Sequence, residues 1–223
     1  MVSQQTVRYI TELIIDTARE LEENPFAVPV GISARHVHLS REAIDILFGR
    51  GYELTVFKGL SQPGQYAANE TVGVVGPKGS FKKVRVLGPA RPQSQIEISQ
   101  SDTRTLGISA PLRESGDLNG TPGVKLVGPA GEVELKGGLI IAKRHVHMSP
   151  ADAAWFGVKD KDIVMVRADG EKGGIFTDVV VRVNENYSLD MHIDTDEANA
   201  FGIKPGQKLT LIKNGFNFKE GLR

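Results

Sequence analysis

A chain of 223 residues is long enough for one large domain or two small ones, each able to bury a core. Its 27 Lys and Arg balance 27 Asp and Glu, so no net field draws it onto nucleic acid or an anionic membrane, and any anion site must be local. With 40% hydrophobic residues it is not a disordered chain, and aromatics at 6% offer little surface for stacking on bases. The absence of cysteine excludes disulfides and thiolate ligands and fits an intracellular protein, so a metal site must use histidine and carboxylate. There is neither an 18-residue apolar run nor a charged start leading into an apolar core with a cleavage site, so neither membrane spanning nor secretion is expected.

The first segment, "TVRYITELIIDTARELEENP", places Val7, Ile10, Leu13, Ile14, Ala18 and Leu21 at helical spacing and predicts one amphipathic helix ending near Asn24 and Pro25. Its apolar face suits packing on the chain's own body or on a sister subunit, or docking as a detachable targeting helix. After Pro29 the pattern changes to short β-prone runs cut by glycine and proline: "TVGVVGPKG", "KKVRVLGPAR", "GVKLVGPAGEVEL", "GGLIIAKRHVHM", "KDIVMVRA", "TDVVVRVN" and "KLTLIK". Short strands with close turns predict barrels.

Two of those runs are copies of one another. At an offset of 109, Arg35-His36-Val37-His38 matches Arg144-His145-Val146-His147, and Ser40 matches Ser149. Each serine opens a short helical pattern, "REAIDILFG" or "PADAAWFG", with serine as N-cap, Pro150 at the first helical position, and Gly49 or Gly157 at the stop. A fainter pair aligns "EISQSDTRTLGI" with "HIDTDEANAFGI", setting Glu97 on His192, Asp102 on Glu197, Gly107 on Gly202 and Ile108 on Ile203. All four segments read strand, polar cap, short helix, glycine. Four half-barrel units predict two barrels.

Residues i and i+2 of a strand share a face, so His36 and His38 can converge on one ion, as can His145 and His147. The fainter repeat supplies a third ligand to each pair, Glu97 to the first and His192 to the second. Three N and O ligands leave a tetrahedral ion one open position, which is the catalytic arrangement for zinc. All five histidines fall in these two sets, which favours metal over a structural motif carried along by duplication. The histidine-rich set favours zinc over iron or manganese. In "GPARPQSQIEIS", Arg91 sits on the loop leading into Glu97, and its planar guanidinium suits bidentate contact with phosphate. Arg35, Arg144, Lys58 and Arg85 are further cations beside the early strands and the histidine pairs.

The segments "GISARHVHLS", "QPGQYAANETV", "GPARPQSQIEIS", "TRTLGISAPLR", "GTPGVKLVGP", "AKRHVHMSP" and "HIDTDEANA" together resemble the phosphate propanoyltransferases, the PduL-type phosphotransacylases, over nearly all of the chain after residue 27. The resemblance implies a mainly β fold of two β-barrels capped by short α-helices, with the N-terminal amphipathic helix in residues 1–27, a first barrel in 28–137 and a second in 138–223. It implies interconversion of acyl-CoA (propionyl-CoA or acetyl-CoA) plus phosphate with acyl phosphate plus CoA, with two zinc ions per chain. One zinc falls on His36, His38 and Glu97, with the CoA sulfur as a fourth ligand, and the other on His145, His147 and His192. Arg91 is implied to bind phosphate, and CoA to lie along Ser33, Lys58, Arg85, Leu87, His192 and Asn199. The chain departs from the family's pattern at none of these positions.

The expected partners are acyl-CoA, phosphate and a second copy in a homodimer, with no nucleic acid and no membrane. In relatives inside bacterial microcompartments a comparable extension serves as an encapsulation peptide, so shell or core proteins are further expected partners, and the location is a microcompartment or the cytoplasm. Two other readings compete. A zinc-dependent thioester or phosphoester hydrolase would release free acid without acyl phosphate, and a scaffold with structural zinc would show no CoA-dependent turnover. Acyl-chain preference depends on side chains beside the metals and is not readable from the sequence.

Overall fold

The glycine- and proline-cut runs fold as strands, and among the described residues the helices after the first are seven or eight residues long. The computed structural model describes residues 3–212; residues 1–2 and 213–223, and the side chains of residues 5 and 16–23, Ala18 and Leu21 among them, lie outside the described residues. The chain runs α1 (Gln4–Glu23), β1 (Ala27–Ser33), β2 (His36–His38), α2 (Arg41–Phe48), β3 (Val56–Gly59), β4 (Tyr66–Val75), β5 (Ser80–Gly88), β6 (Gln95–Glu97), α3 (Gln100–Leu106), β7 (Leu112–Arg113), β8 (Lys125–Val127) and β9 (Glu132–Glu134). It continues β10 (Leu139–Ala142), β11 (His145–Met148), α4 (Pro150–Phe156), β12 (Ile163–Ala168), β13 (Gly174–Val183), β14 (Asp190–Asp194), α5 (Thr195–Phe201) and β15 (Lys208–Ile212).

Six strands close a barrel in the order β1-β14-β11-β13-β12-β15. The other sheet runs β7-β10-β6-β2-β5-β4-β8-β9 with β3 paired to β4, and it does not close. Its end strands β7 and β9 are only two and three residues long, so little unpaired ladder is left at the edges. Strands cross the expected division at residue 138. Val28 and Val30 of β1 pack in the core of the barrel, while Leu139 and Ile141 of β10 pack in the core of the open sheet. Each sheet therefore borrows a strand from the other half of the chain, which ties the two units together.

The internal repeat is visible as register. In the first unit β2 lies parallel to β5 with His36 opposite Arg85, and antiparallel to β6 with His36 opposite Glu97. In the second, β11 lies parallel to β13 with His145 opposite Val180, and antiparallel to β14 with His145 opposite His192. The offset between copies falls from 109 at the histidine pairs to 95 at Glu97 and His192, so the first unit is fourteen residues longer in between. That stretch includes the β3–β4 hairpin.

All four repeat segments cap their helices as the pattern predicts. Ser40, Ser99, Ser149 and Asp194 are N-caps, and in α3, α4 and α5 an acid three residues on (Asp102, Asp152, Glu197) completes a capping box. Gly107, Gly157 and Gly202 end those helices in the left-handed region, where a Cβ would be strained. The arginine ahead of each histidine pair belongs to this scaffold. Arg35 donates twice to Asp102 (3.0 and 2.7 Å) and lies over Phe81, and Arg144 donates to Glu197 (2.8 Å) and lies over Phe176. Phe81 and Phe176 are 95 apart, like Asp102 and Glu197.

Candidate metal and substrate site

The strand registers bring the expected residues together. His36, His38 and Glu97 have potential ligand atoms within 4.8 Å of one another, as do His145, His147 and His192. Two short strands do this in each unit: the i, i+2 pair comes from one strand and the third residue from its antiparallel neighbour. The four paired histidines are buried, and both clusters line one cleft of about 510 Å³.

The imidazole nitrogens fit a metal. Nδ1 of His36 donates to the Ala34 carbonyl (2.9 Å) and Nδ1 of His145 to the Lys143 carbonyl (2.8 Å), leaving Nε2 as the lone-pair nitrogen of each ring. Nδ1 of His38 and of His147 is buried without a hydrogen-bond partner. A buried polar atom of this kind is costly unless a ligand meets the ring.

Charge separates the two clusters. Burial opposes protonation of His36, but the charge and hydrogen bond of Glu97 outweigh it and leave its pKa raised. Burial, helped by the charges of His36 and Arg91, lowers His38 to about 3. Glu97 is held ionised: burial pulls its pKa up, but His36, His38 and Arg91 more than compensate. In the other cluster burial and His192 lower His145 to about 4, and burial and His145 lower His147. Neutral imidazoles are the ligand form.

Arg91 reaches the cleft beside Ser115, to whose Oγ it donates (3.3 Å), and burial followed by the charge of Arg182 lowers its pKa against the opposing pull of Glu97. Ser33, Arg85, Leu87 and His192 also line the cleft, whereas Lys58 on β3 and Asn199 on α5 are exposed and outside that lining. Arg85 is partly committed to the fold, donating to the carbonyls of Ala68 (2.8 Å) and Asn69 (2.9 Å).

Sequence reasoning missed Arg182, Gln95, Ser115, Tyr187 and Asp190, all of which touch the clusters or line the cleft. The repeat could have found two of them. Arg182 lies opposite His147 and stands 95 residues after Leu87, and Asp190 stands 95 after Gln95. Among the described residues Arg182 has no ion-pair partner, and its guanidinium lies 5.9 Å from the Tyr187 ring.

Fold and cleft together define a class: a mainly β protein of two related units, with histidine-rich clusters and cleft-facing arginines between them. A family model described as phosphate propanoyltransferase matches residues 29–204. A phosphate propanoyltransferase of Thermotoga maritima is 52% identical over 209 residues, covering 92% of this chain and 99% of that protein. Those of Clostridioides difficile (50% identical, 92% of this chain and 97% of that protein) and Salmonella typhimurium (51% identical, 89% and 90%) are similar over nearly the same span. The chain belongs to the phosphate propanoyltransferase family, a family of acyltransferase enzymes.

Proposed function

We propose that the chain transfers a short acyl group, propionyl or acetyl, between CoA and phosphate at a cleft holding two zinc ions. His36, His38 and Glu97 hold one ion; His145, His147 and His192 hold the other. The observation that carries this reading is the meeting of both three-residue clusters and two cationic side chains, Arg91 and Arg182, in one cleft. Zinc supplies Lewis acidity toward a thioester carbonyl or a departing thiolate.

The chain's own residues do the rest. Neither Arg91 nor Arg182 has a carboxylate ion-pair partner among the described residues, so both guanidinium groups are available to a dianion. Holding phosphate between them aligns a phosphate oxygen with the thioester carbonyl carbon and turns a bimolecular encounter into a positioned one. The new bond is C–O, the broken bond is C–S, and the phosphate hydroxyl proton leaves with the CoA sulfur as thiol. Ser33, Arg85 and Leu87 line the CoA side of the cleft, and Lys58 and Asn199 would meet CoA outside it.

CoA release from acetyl-CoA and propionyl-CoA, with and without phosphate, tests the reading on protein whose zinc has been counted. Phosphate-dependent release with acyl phosphate formed is expected at two zincs per chain. Equal release without phosphate would make the chain a hydrolase and overturn the proposal. Helix α1 exposes Val7, Ile10, Leu13 and Ile14, which supports docking on a sister subunit or a microcompartment protein. Deleting residues 1–24 is expected to release the enzyme from a shell; continued sequestration would reject the targeting role.

A further inference from the structure

The third residue of each cluster has a polar partner two positions earlier on its own strand. Gln95 Nε2 donates to Glu97 Oε1 (2.5 Å), and Asp190 Oδ2 accepts from His192 Nε2 (3.0 Å). The two partners stand at equivalent places in the repeat. Where the third residue is a carboxylate its partner is an amide donor; where it is an imidazole its partner is a carboxylate acceptor. The partner's chemistry has inverted together with that of the side chain it orients.

Asp190 is buried and lines the cleft, yet it is not among the ligand atoms that lie within 4.8 Å of one another in the His145, His147 and His192 cluster. It therefore stands behind His192. The same Oδ2 accepts from Ser61 Oγ (2.5 Å). Ser61 sits in the β3–β4 hairpin, within the stretch that makes the first unit longer than the second. Beside it, buried Gln62 is bonded both ways to the Ser188 backbone, donating from Nε2 (3.0 Å) and accepting at Oε1 (3.2 Å), just ahead of β14. On the other side Gly31 of β1 faces His192 in register, and a Cβ there would lie 3.1 Å from Asp190 Oδ2 and 3.5 Å from His192 Cδ2.

We propose that Asp190 is the positioning residue of the second cluster: it accepts the Nε2–H hydrogen bond of His192, leaves the ring's other nitrogen to the ion, and is itself held by Ser61 from the first unit's hairpin. An outer carboxylate of this kind fixes a ligand's tautomer and orientation, and its loss weakens a metal by about ten- to a hundredfold. The inference rests on the zinc reading above.

The test is zinc affinity by chelator competition on the full chain, for the native protein, Asp190→Ala and the isosteric Asp190→Asn, with metal-free melting as a check on folding. The native protein is expected to hold two zincs. Both variants should keep one at native affinity and bind the other about ten- to a hundredfold more weakly, with Asp190→Asn the milder. Adding Glu97→Ala should then remove the tight zinc, which places the weakened one on the second cluster. Ser61→Ala should weaken that same zinc by a smaller factor. Two zincs of native affinity in both Asp190 variants would overturn the positioning role while leaving the zinc reading intact. Fewer than two in the native protein would overturn both.

Discussion

His36 and His145 hold the same place in the same three-strand frame, yet Glu97 draws the pKa of the first up while burial and His192 push the second down to about 4. The contrast continues along the cleft. Leu87 in the first unit answers to Arg182 in the second, and Gln95 to Asp190. Duplication kept the backbone that converges three side chains and let the cleft-facing residues diverge in charge. With a divalent ion in each cluster, the set containing Glu97 would carry one positive charge fewer than the all-histidine set, and Arg91 beside the first and Arg182 beside the second leave that difference in place. The less charged unit, flanked by leucine, suits a thioester and its departing thiolate. The more cationic one suits phosphate.

Turning one unit into the other tests this division, and the largest effect is expected at the third ligand. Glu97→His would give the first unit the second's ligand set: two zincs should remain, and turnover should fall roughly a hundredfold or more, because the charge that matched the thiolate is changed at the reacting centre. Native turnover with two zincs bound would remove any role for the charge difference. Arg182→Leu copies Leu87 into the second unit and should raise the KM for phosphate roughly tenfold to a hundredfold, the range for losing one charged hydrogen bond. Arg91→Ala should do the same with zinc content unchanged. Steady-state kinetics varying phosphate and acyl-CoA separately checks both, and an effect confined to the acyl-CoA KM would reject the assignment.

Much of this division was legible in the sequence because the repeat is local. The H-x-H pairs, the serine caps and the terminal glycines are short-range signals, and α2, α3, α4 and α5 begin and end where those residues stand. The pairing of Glu97 with His36 and of His192 with His145 also followed, since both sit at equivalent offsets. Strand exchange was not legible. Nothing in "AVPVGIS" says that β1 closes a barrel with β14, in parallel, and β15, antiparallel, because strands so far apart in the chain are joined by no tight turn whose residues would mark the pairing. In the sequence Arg35 and Arg144 are only cations ahead of the histidine pairs, and tertiary geometry shows that they pin the helices after Glu97 and His192.

Acidification should tell the units apart in metal-free protein. The raised pKa of His36 means that its contribution to stability is complete below about 6.5, the unfolded value, and is lost as pH rises through the folded one. His145, lowered to about 4, behaves oppositely: its contribution is present above about 6.5 and drains away as pH falls toward 4. Histidine ring NMR across this range should show His36 titrating above 6.5 and His145 near 4; one shared midpoint would contradict the electrostatic contrast.

The smallest effects are expected at the two scaffold arginines, where the units agree. Asp102 is 6% exposed but its partner Arg35 is 41% exposed, so solvent screens much of that pair, while the Arg144 and Glu197 side chains are 28% and 22% exposed. Arg35→Ala and Arg144→Ala should each cost about 1 kcal/mol or less, a fall of roughly 2–4 °C in Tm for a chain of this size. Zinc content and the phosphate KM should stay native, since both guanidinium groups are spent on capping-box acids. A phosphate KM that rose more in Arg144→Ala than in Arg182→Leu would reverse that conclusion, because Arg144 is paired with Glu197 and the Thr177 carbonyl and lies outside the cleft lining, whereas Arg182 is part of it.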